Sequence, residues 1–299
     1  MRVLITGKNG QVGNDLVKTV PKGIDLYPFG HNDLDITCET TISTKLNEIK
    51  PDYIINAAAY TAVVRAEKEH KQATLVNTTA AGYLSAAAKE VAAKFLHIST
   101  DFVFDGLQSS PYQPDTPANP FSIYGESKAN GEALVRKYFA AGSIILRTSW
   151  VYSTTGHNFV KTMLNLMRDR DELQVVCDQV GTPTWSKNLA LTIWAMVTNN
   201  AHSGIYHWSD AGVASWYDFA IAIYEEALNF QLLDKTIKII PVSTSQYPTP
   251  AKRPAYSVLD SSLTNKIWGV QQEHWRQALR KMLIEQKKLI QISNELIKS

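Results

Sequence analysis

Short apolar runs alternate with helix-like stretches through the first half of the chain. The apolar runs are typical of strands buried on both faces, and they cover Arg2–Thr6, Ile24–Phe29, Tyr53–Asn56, Phe95–Ser99 and Ile144–Arg147. Between them, hydrophobic residues recur at helical spacing in residues 12–20, 41–49, 71–91 and 122–138. This order predicts an α/β fold with a doubly wound parallel sheet, whose ligand cleft lies at the carboxyl ends of the strands.

A glycine-rich turn follows the first strand and opens the first helix. Gly7, Gly10 and Gly13 are spaced three residues apart, which allows a sharp turn, a close approach to a pyrophosphate and tight packing of the helix on the strand. The helix N-terminus adds free N–H groups and a partial positive charge. The turn predicts a Rossmann-type site for a dinucleotide, NADPH or NADH. The residues predicted to bind it here are Gly7, Asn9, Gly10, Gln11, Val12 and Gly13.

The end of the second strand bears on the choice between NADPH and NADH. An acidic residue there favours NAD, because it binds the adenosine ribose. The strand ends Pro28-Phe29-Gly30-His31 without an acid, and Asp33 and Asp35 follow later, so the choice stays open. Small side chains close the third strand and let the backbone approach a flat ligand. The further residues predicted to bind the cofactor are Asp35, Ile36, Ala57, Ala58, Ala59 and Tyr60.

Tyr124 and Lys128 lie one helical turn apart, on one helix face. A tyrosine has a pKa of about 10, and a neighbouring ammonium together with the positive nicotinamide is expected to lower it. Ser99 and Thr100 end the fourth strand, where a hydroxyl can hydrogen-bond a carbonyl oxygen that is becoming an alkoxide. We predict Tyr124 and Lys128 to act in catalysis and to contact the cofactor, with a hydroxyl of Ser99 or Thr100 beside them.

The second half is less regular and lacks a second glycine-rich turn. Helices are predicted at residues 161–169, 189–198, 216–228 and 274–283, and four prolines lie in residues 241–254. We predict a dinucleotide-binding domain over residues 1–150. A smaller, interlocked and mainly substrate-binding domain is predicted over residues 151–299, with some of its segments returning to the first domain.

Composition removes several other classes of protein. The 299 residues are 44% hydrophobic and 19% charged, a globular balance, and the net charge of +2 does not suggest a nucleic-acid binder. Cys38 and Cys177 are far apart and are expected to be reduced thiols. The sequence shows no signal-peptide core and no apolar run of membrane-spanning length, so we expect a cytoplasmic protein without a membrane partner. The histidines show no metal-ligand spacing, and no metal is predicted.

The motifs resemble those of the extended short-chain dehydrogenases, and within them the dTDP-4-dehydrorhamnose reductases. The matching segments, in family order, are residues 7–13, 56–63, 99–106, 124–128, 147–152 and 178–184, and Arg253-Pro254 with Ser257. The resemblance implies reduction of dTDP-4-dehydro-β-L-rhamnose by NADPH or NADH, with Thr100, Tyr124 and Lys128 as the catalytic residues. We expect a monomer or a homodimer. Arg253 can place a planar guanidinium on a diphosphate, and Asn158 begins a helix that suits an anion. The residues expected to bind the nucleotide-linked sugar are Thr100, Asp101, Phe102, Tyr124, Trp150, Asn158 and Arg253.

Two departures from the family pattern bear on the sugar pocket. Phe102 stands where the family usually has tyrosine, and Val64 stands where it usually has aspartate. Some relatives bind Mg²⁺ through carboxylates at a dimer contact, but matching acids are not evident in this chain. Two alternatives stay open: a nucleotide-sugar epimerase or dehydratase, and a non-catalytic regulatory subunit like the one that partners methionine adenosyltransferase. The Phe102 position disfavours a dehydratase, which typically has an Asp-Glu pair after the threonine.

Overall fold

A parallel sheet of six strands forms the centre of the computed structural model. The structure describes residues 1–298. Ser299, the last residue of the predicted second domain, lies outside the described residues. The strands are β1 (Arg2–Thr6), β2 (Asp25–Phe29), β3 (Tyr53–Asn56), β4 (Lys94–Thr100), β5 (Ser143–Thr148), β6 (Val151–Tyr152), β7 (Glu172–Val176), β8 (Val180–Gly181), β9 (Thr184–Trp185), β10 (Gly204–His207), β11 (Ala214–Ser215) and β12 (Lys238–Val242). The central sheet has the order β10-β5-β4-β3-β1-β2, and its strands pair in parallel. The predicted fold class is confirmed.

Helices cover both faces of this sheet, with α1 and α8 on one face and α2 and α5 on the other. The helices of the described residues are α1 (Gln11–Lys18), α2 (Glu39–Ile49), α3 (Val63–Ala66), α4 (His70–Thr74), α5 (Ala80–Glu90), α6 (Ile123–Phe139), α7 (Phe159–Asp169), α8 (Ser186–Thr198), α9 (Trp216–Asn229), α10 (Ser262–Trp268) and α11 (Trp275–Lys298). A π-helical turn, Leu75–Thr79, joins α4 to α5. None of the helices in the described part of the chain is both long and apolar enough to cross a membrane.

Alternation along β1 shows why the sheet needs cover on both faces. Val3 and Ile5 lie in one core cluster, with Leu16 of α1, whereas Leu4 lies in another, with Ile42 of α2 and residues of α5. Successive side chains of a strand point to opposite faces, so a strand with both faces buried is apolar throughout. β1 pairs with β2 on one side and with β3 on the other, and the chain winds away in both directions from this point. A ligand cleft is expected at such a switch in strand order.

Two segments from the second half pack on the central sheet. β10 pairs with β5 at the edge of the sheet, and α8 contributes Leu189, Ile193 and Trp194 to the core cluster that contains Val3. The remainder of the second half has its own core around Phe219, with residues of α7, α9 and α11. The division at residue 150 remains a proposal, in which residues 186–207 belong to the body of the first domain.

Candidate active site

The glycine-rich turn leaves no room for side chains. Gly7 has a φ of +77°, and a Cβ there would lie 2.6 Å from the backbone nitrogen of Ala58. A Cβ on Gly13 would lie 2.1 Å from the Gly7 carbonyl oxygen. Gly10 is the N-cap of α1 and provides no side-chain cap, so the first N–H groups of the helix have no side-chain partner there. This backbone cradle fits a pyrophosphate, because the helix N-terminus offers both donors and a partial positive charge.

The other residues predicted around this turn connect it to neighbouring elements. The Asn9 amide lies against Gly30, where a Cβ would be 2.7 Å from Asn9 Nδ2. Gln11 Oε1 accepts a hydrogen bond of 3.0 Å from Asn158 Nδ2, and Val12 packs against the core. Asn158 also caps α7 by accepting from the Lys161 N–H, at 3.1 Å. The Asn158 side chain is therefore engaged between the glycine turn and α7, and its use for the substrate stays a prediction.

An acid does stand beside the end of β2, although the sequence does not place it there. Residues 30–34 form a turn in which Asp33 Oδ2 accepts from the Gly30 N–H at 2.8 Å and pairs with Lys8 Nζ at 2.6 Å. The hydrogen bonds from Lys8 and Gly30 lower the pKa of the Asp33 carboxyl, which is exposed. A cavity of about 470 Å³ next to this turn is lined by residues 31–35 and by residues of α2. Loop folding has thus brought a carboxylate and an ammonium to the place where the adenosine ribose is expected.

Asp35 and Ile36 follow this turn but are held locally. Asp35 Oδ1 accepts from both the N–H and the hydroxyl of Thr37, at 2.9 and 2.7 Å, and these bonds lower the pKa of the Asp35 carboxyl. The Ile36 side chain is buried in the core. Asp35 lines the cavity, so its predicted contact with the cofactor is compatible with the structure and stays a prediction.

The segment after β3 approaches the glycine turn through its backbone. A Cβ on Gly7 would lie 2.6–2.8 Å from backbone atoms of Ala57 and Ala58, so the glycine at residue 7 is what lets the two segments come together. Beyond Ala59, Tyr60 is fixed twice: its N–H donates to Asn77 Oδ1 at 2.8 Å, and its hydroxyl donates to Glu69 Oε2 at 2.7 Å. The segment from Ala57 to Tyr60 is therefore held in one conformation, as one side of a binding site for a flat ligand requires.

Thr100, Tyr124 and Lys128 meet between the carboxyl end of β4 and the start of α6. The Ser122 hydroxyl caps α6 by accepting from the Gly125 N–H at 3.2 Å, which sets the first turn with Tyr124. A Cβ on Gly125 would be 2.2 Å from the Phe102 carbonyl oxygen, so this glycine lets α6 approach the segment after β4. Lys128 Nζ donates to the Ile98 carbonyl at 2.6 Å.

Burial controls the acid–base behaviour of this trio. It raises the pKa of Tyr124 to about 12, with the Thr100 hydrogen bond acting in the opposite direction. It lowers the pKa of Lys128 to about 8, although the charge of Glu132 raises it. The cause of both shifts is desolvation, which disfavours the phenolate and the ammonium alike. The expectation that Lys128 together with a positive nicotinamide lowers the tyrosine pKa stays a prediction.

The Ser99 and Thr100 hydroxyls at the end of β4 are both buried and both hydrogen-bonded within the chain, with different partners. The Ser99 hydroxyl donates to Glu132 Oε1 at 2.5 Å. Thr100 Oγ1 lies 3.1 Å from Asp101 Oδ1 and accepts from the Phe102 N–H at 3.2 Å. Burial raises the pKa of Asp101 to about 6.

A stack of aromatic rings and a guanidinium lies on the side of the second half. Trp150 and Trp216 stack with ring centroids 3.5 Å apart, and the Arg253 guanidinium lies 5.7 Å from the Trp216 ring. Trp150 has a φ of +45°, and its indole lies against Gly181, where a Cβ would be 2.6 Å from Cε2. Sequence reasoning missed Trp216. Its approach to Trp150 is a contact between residues far apart in the chain, and no local pattern indicates it.

The two positions that depart from the family pattern differ in their surroundings. Phe102 packs edge-on against Tyr124, with ring centroids 5.5 Å apart and an interplanar angle of 73°. Val64, on α3, is 40% exposed. Phe102 is therefore in direct contact with a predicted catalytic residue, whereas Val64 belongs to the surface of the same region.

The fold and the site together define the class: a Rossmann-type oxidoreductase of the extended short-chain dehydrogenase type. The RmlD substrate binding domain family matches residues 1–288, and the chain belongs to this family. It is 42% identical over 286 residues to dTDP-4-dehydrorhamnose reductase of Aggregatibacter actinomycetemcomitans, covering 93% of this chain and 97% of the relative. Identity to dTDP-4-dehydrorhamnose reductase of Burkholderia thailandensis is 39%, covering 93% and 97%.

The chain also superposes on solved structures of related enzymes. A crystal structure of dTDP-4-dehydrorhamnose reductase from Bacillus anthracis in complex with NADP superposes with a TM-score of 0.89 at 37% identity, covering 95% of this chain and 99% of that one. A dTDP-glucose 4,6-dehydratase from Streptomyces venezuelae superposes with a TM-score of 0.79 at 18% identity, which shows a shared fold and no more. The family resemblance noted from the motifs is confirmed.

Proposed function

We propose that this protein reduces the 4-keto group of dTDP-4-dehydro-β-L-rhamnose to give dTDP-β-L-rhamnose, with NADPH or NADH as the reductant. The observation that carries the proposal is the meeting of Thr100, Tyr124 and Lys128 at the carboxyl end of β4, in a chain of the RmlD family. Relatives of 36–42% identity are dTDP-4-dehydrorhamnose reductases, and the Bacillus anthracis relative binds NADP.

The residues present fit a nicotinamide dinucleotide. The cradle of Gly7, Gly10 and Gly13 would hold its pyrophosphate, and the turn with Lys8 and Asp33 would hold its adenosine ribose. The wall of Ala57–Tyr60 would lie along the nicotinamide half. When bound, the reduced cofactor supplies a hydride.

Tyr124 is suited to be the proton donor. A phenol with a pKa of about 12 keeps its proton at neutral pH, so it can protonate the C4 oxygen as that oxygen gains negative charge. The Thr100 hydroxyl is proposed to hydrogen-bond the same oxygen. The hydride forms the new C–H bond at C4, the C=O π electrons move to oxygen, and the Tyr124 proton completes the alcohol. Lys128 is proposed to hold the nicotinamide ribose and to stabilise the phenolate left on Tyr124.

The nucleotide-linked end of the substrate is proposed to lie on the Trp150–Trp216–Arg253 stack. Indole rings suit the flat faces of a sugar or a base, and a guanidinium suits a diphosphate. Asp101 and Phe102 flank the catalytic residues on the sugar side. The stacking of Arg253 on Trp216 holds the guanidinium in place before any ligand arrives.

Substitutions of the trio test the mechanism. Tyr124→Phe should lower kcat by roughly 10²- to 10³-fold or more, with little change in NADPH binding, because it removes the acid alone. Lys128→Met should reduce both turnover and cofactor affinity, and Thr100→Val should slow the chemistry with the smallest effect on cofactor affinity. The effects should not add, since the three groups act on one oxygen. NADPH oxidation under conditions where hydride transfer limits the rate measures kcat, and fluorescence titration measures cofactor binding.

The same assay decides between the proposal and its alternatives. Near wild-type kcat in a folded Tyr124→Phe variant would contradict the mechanism. Absence of reduction of any nucleotide-linked 4-keto sugar by the unmutated protein would favour the regulatory subunit. NAD that stays bound through purification would favour an epimerase. We further propose a cytoplasmic monomer or homodimer, to be checked by cell fractionation and by light scattering.

A further inference from the structure

A row of buried polar side chains runs across the sheet from the end of β1 to α6. Thr6 Oγ1 donates to Asn56 Oδ1 at 2.6 Å, Asn56 Nδ2 lies 3.0 Å from His97 Nδ1, and His97 Nε2 lies 3.2 Å from Lys128 Nζ. Each of these four residues is at most 2% exposed. Solvent therefore cannot readily replace any partner in the row, and the proton positions must be compatible from one end to the other.

The direction of hydrogen bonding along the row is fixed at Asn56, because its amide can take only one orientation. The Ala58 N–H, which can only donate, lies 3.2 Å from Asn56 Oδ1. The oxygen of the amide must therefore face Ala58 and Thr6, and its NH₂ group must face His97. An NH₂ group only donates, so His97 Nδ1 is an acceptor. Burial holds the pKa of His97 well below its usual value, and a neutral imidazole with Nδ1 as acceptor has its proton on Nε2.

This tautomer has a consequence for Lys128. The His97 Nε2–H points at Nζ, which can accept it as a neutral amine but not as an ammonium, because the ammonium has no lone pair. Nζ keeps its own donor bond to the Ile98 carbonyl in either state. The charge of Glu132, one turn further along α6, raises the pKa of Lys128, and the Glu132 carboxylate is itself bound by Ser99 and by Arg147 of β5. Tyr124 lies one turn before Lys128 on the same helix.

We propose that His97 is a positioning residue for Lys128: Asn56 holds it in the tautomer with the proton on Nε2, and in that tautomer it favours the neutral amine over the ammonium. Where activity is concerned, the proposal rests on the function proposed above. It implies that the reaction loses rate on the alkaline side near pH 8, where Lys128 gives up its charge and no longer stabilises the Tyr124 phenolate. The row is proposed to lower the pH of that loss in addition to the effect of burial.

The first test is made on the unmutated protein and does not depend on turnover. Nitrogen NMR of the unmutated protein labelled with ¹⁵N-histidine reports which ring nitrogen of His97 is protonated, with a His97→Phe variant to assign the signals. A proton on Nε2 is expected at neutral pH. A proton on Nδ1 would overturn the proposal while leaving the proposed function intact.

The second test reverses the direction of the hydrogen bonds that His97 makes with residue 56 and with Lys128. In Asn56→Asp, the carboxylate accepts from Thr6, from Ala58 and from His97 Nδ1–H, so the Nε2 lone pair turns toward Lys128 and favours the ammonium. We expect the alkaline midpoint of kcat/KM, and the midpoint of the Lys128 ¹³Cε chemical shift, to rise by at least one pH unit. A purely structural role would lower kcat at every pH and leave both midpoints in place, which would refute the proposal.

A double variant distinguishes the effect of the His97 tautomer on Lys128 from a direct electrostatic effect of the new carboxylate. Asn56→Asp combined with His97→Phe retains the carboxylate but has no imidazole to transmit the change. The proposal predicts that the upward shift, measured relative to His97→Phe alone, disappears in this pair. An equal shift with and without the imidazole would show that the carboxylate acts directly, and the assignment of His97 would be wrong. The ¹³Cε titration keeps the test readable in a variant that no longer turns over.

Discussion

Arg147→Met should be among the most damaging single substitutions outside the catalytic trio. Arg147 of β5 makes a two-pronged ion pair with Glu132 of α6, with Nε–Oε1 at 2.9 Å and Nη2–Oε2 at 2.7 Å. The two side chains are 3% and 5% exposed. Among the described residues, removing the guanidinium leaves the Ser99 hydroxyl as the hydrogen-bond partner of the buried Glu132 carboxylate, with the Lys128 charge acting on it without a hydrogen bond. Breaking a buried pair from one side costs about 3–5 kcal/mol, because an uncompensated charge remains.

The assay is equilibrium unfolding in urea, followed by tryptophan fluorescence. Methionine keeps much of the length of the arginine stem, so the loss measured is chiefly that of the charge and its hydrogen bonds. Arg65→Met is the matched control, because Arg65 makes the same two-pronged contact with Glu69 on the surface, where its side chain is 70% exposed. Screening by water should leave that variant close to wild type.

Pairing the substitution with Glu132→Leu tests the cause. If the uncompensated carboxylate is responsible, Arg147→Met with Glu132→Leu should be more stable than Arg147→Met alone, since apolar side chains can replace a buried pair at little cost. A loss of under about 1 kcal/mol in Arg147→Met, or an equal loss in Arg65→Met, would refute the reasoning.

Two further substitutions address specificity. Asp33→Asn should raise the ratio of kcat/KM for NADPH over NADH by about tenfold, ~1.4 kcal/mol, because it removes a charge that repels the 2′-phosphate and frees Lys8 to bind it; an unchanged ratio would show that the cofactor does not reach this turn. Phe102→Tyr should change KM for the sugar more than the affinity for NADPH, since Phe102 contacts Tyr124 but not the glycine turn. Sugar and cofactor constants that both stay at wild-type values would place residue 102 outside the pocket.

The parts of the site that the sequence predicted are those with a local signature. The glycine spacing follows from a turn of seven residues, and Tyr124 and Lys128 follow from the pitch of one helix. In both cases the residues that must meet are neighbours in the chain, so periodicity alone brings them together. The same holds for the central sheet, whose strands are apolar throughout because both faces are covered.

The parts that the sequence did not predict depend on how distant segments pack. Asn56 and His97 are 41 residues apart and meet because β3 and β4 are adjacent in the sheet. A sequence signal existed for His97, which is a polar residue inside an otherwise apolar strand, but its partner could not be read from the pattern. The position of the Asp33 carboxylate beside the end of β2 was not predicted, because an exposed turn brings it there and strand spacing does not indicate that turn.

The same dependence on distant contacts explains why the second half, proposed to bind the substrate, cannot be treated as a separate body. Asn158 reaches from the N-cap of α7 to Gln11 in the glycine turn, and the hydroxyls of Ser153 and Ser186 both bond the buried Asp15 of α1. Each contact joins the second half to the helix proposed to hold the cofactor's pyrophosphate. Any displacement of α1 on cofactor binding would therefore be transmitted to α7 and α8 by direct hydrogen bonds. Because Trp150 follows β5 of the central sheet and stacks on Trp216 of α9, the stack proposed to bind the sugar also spans the two halves, and direct contacts connect it to the sheet that carries the proposed cofactor site.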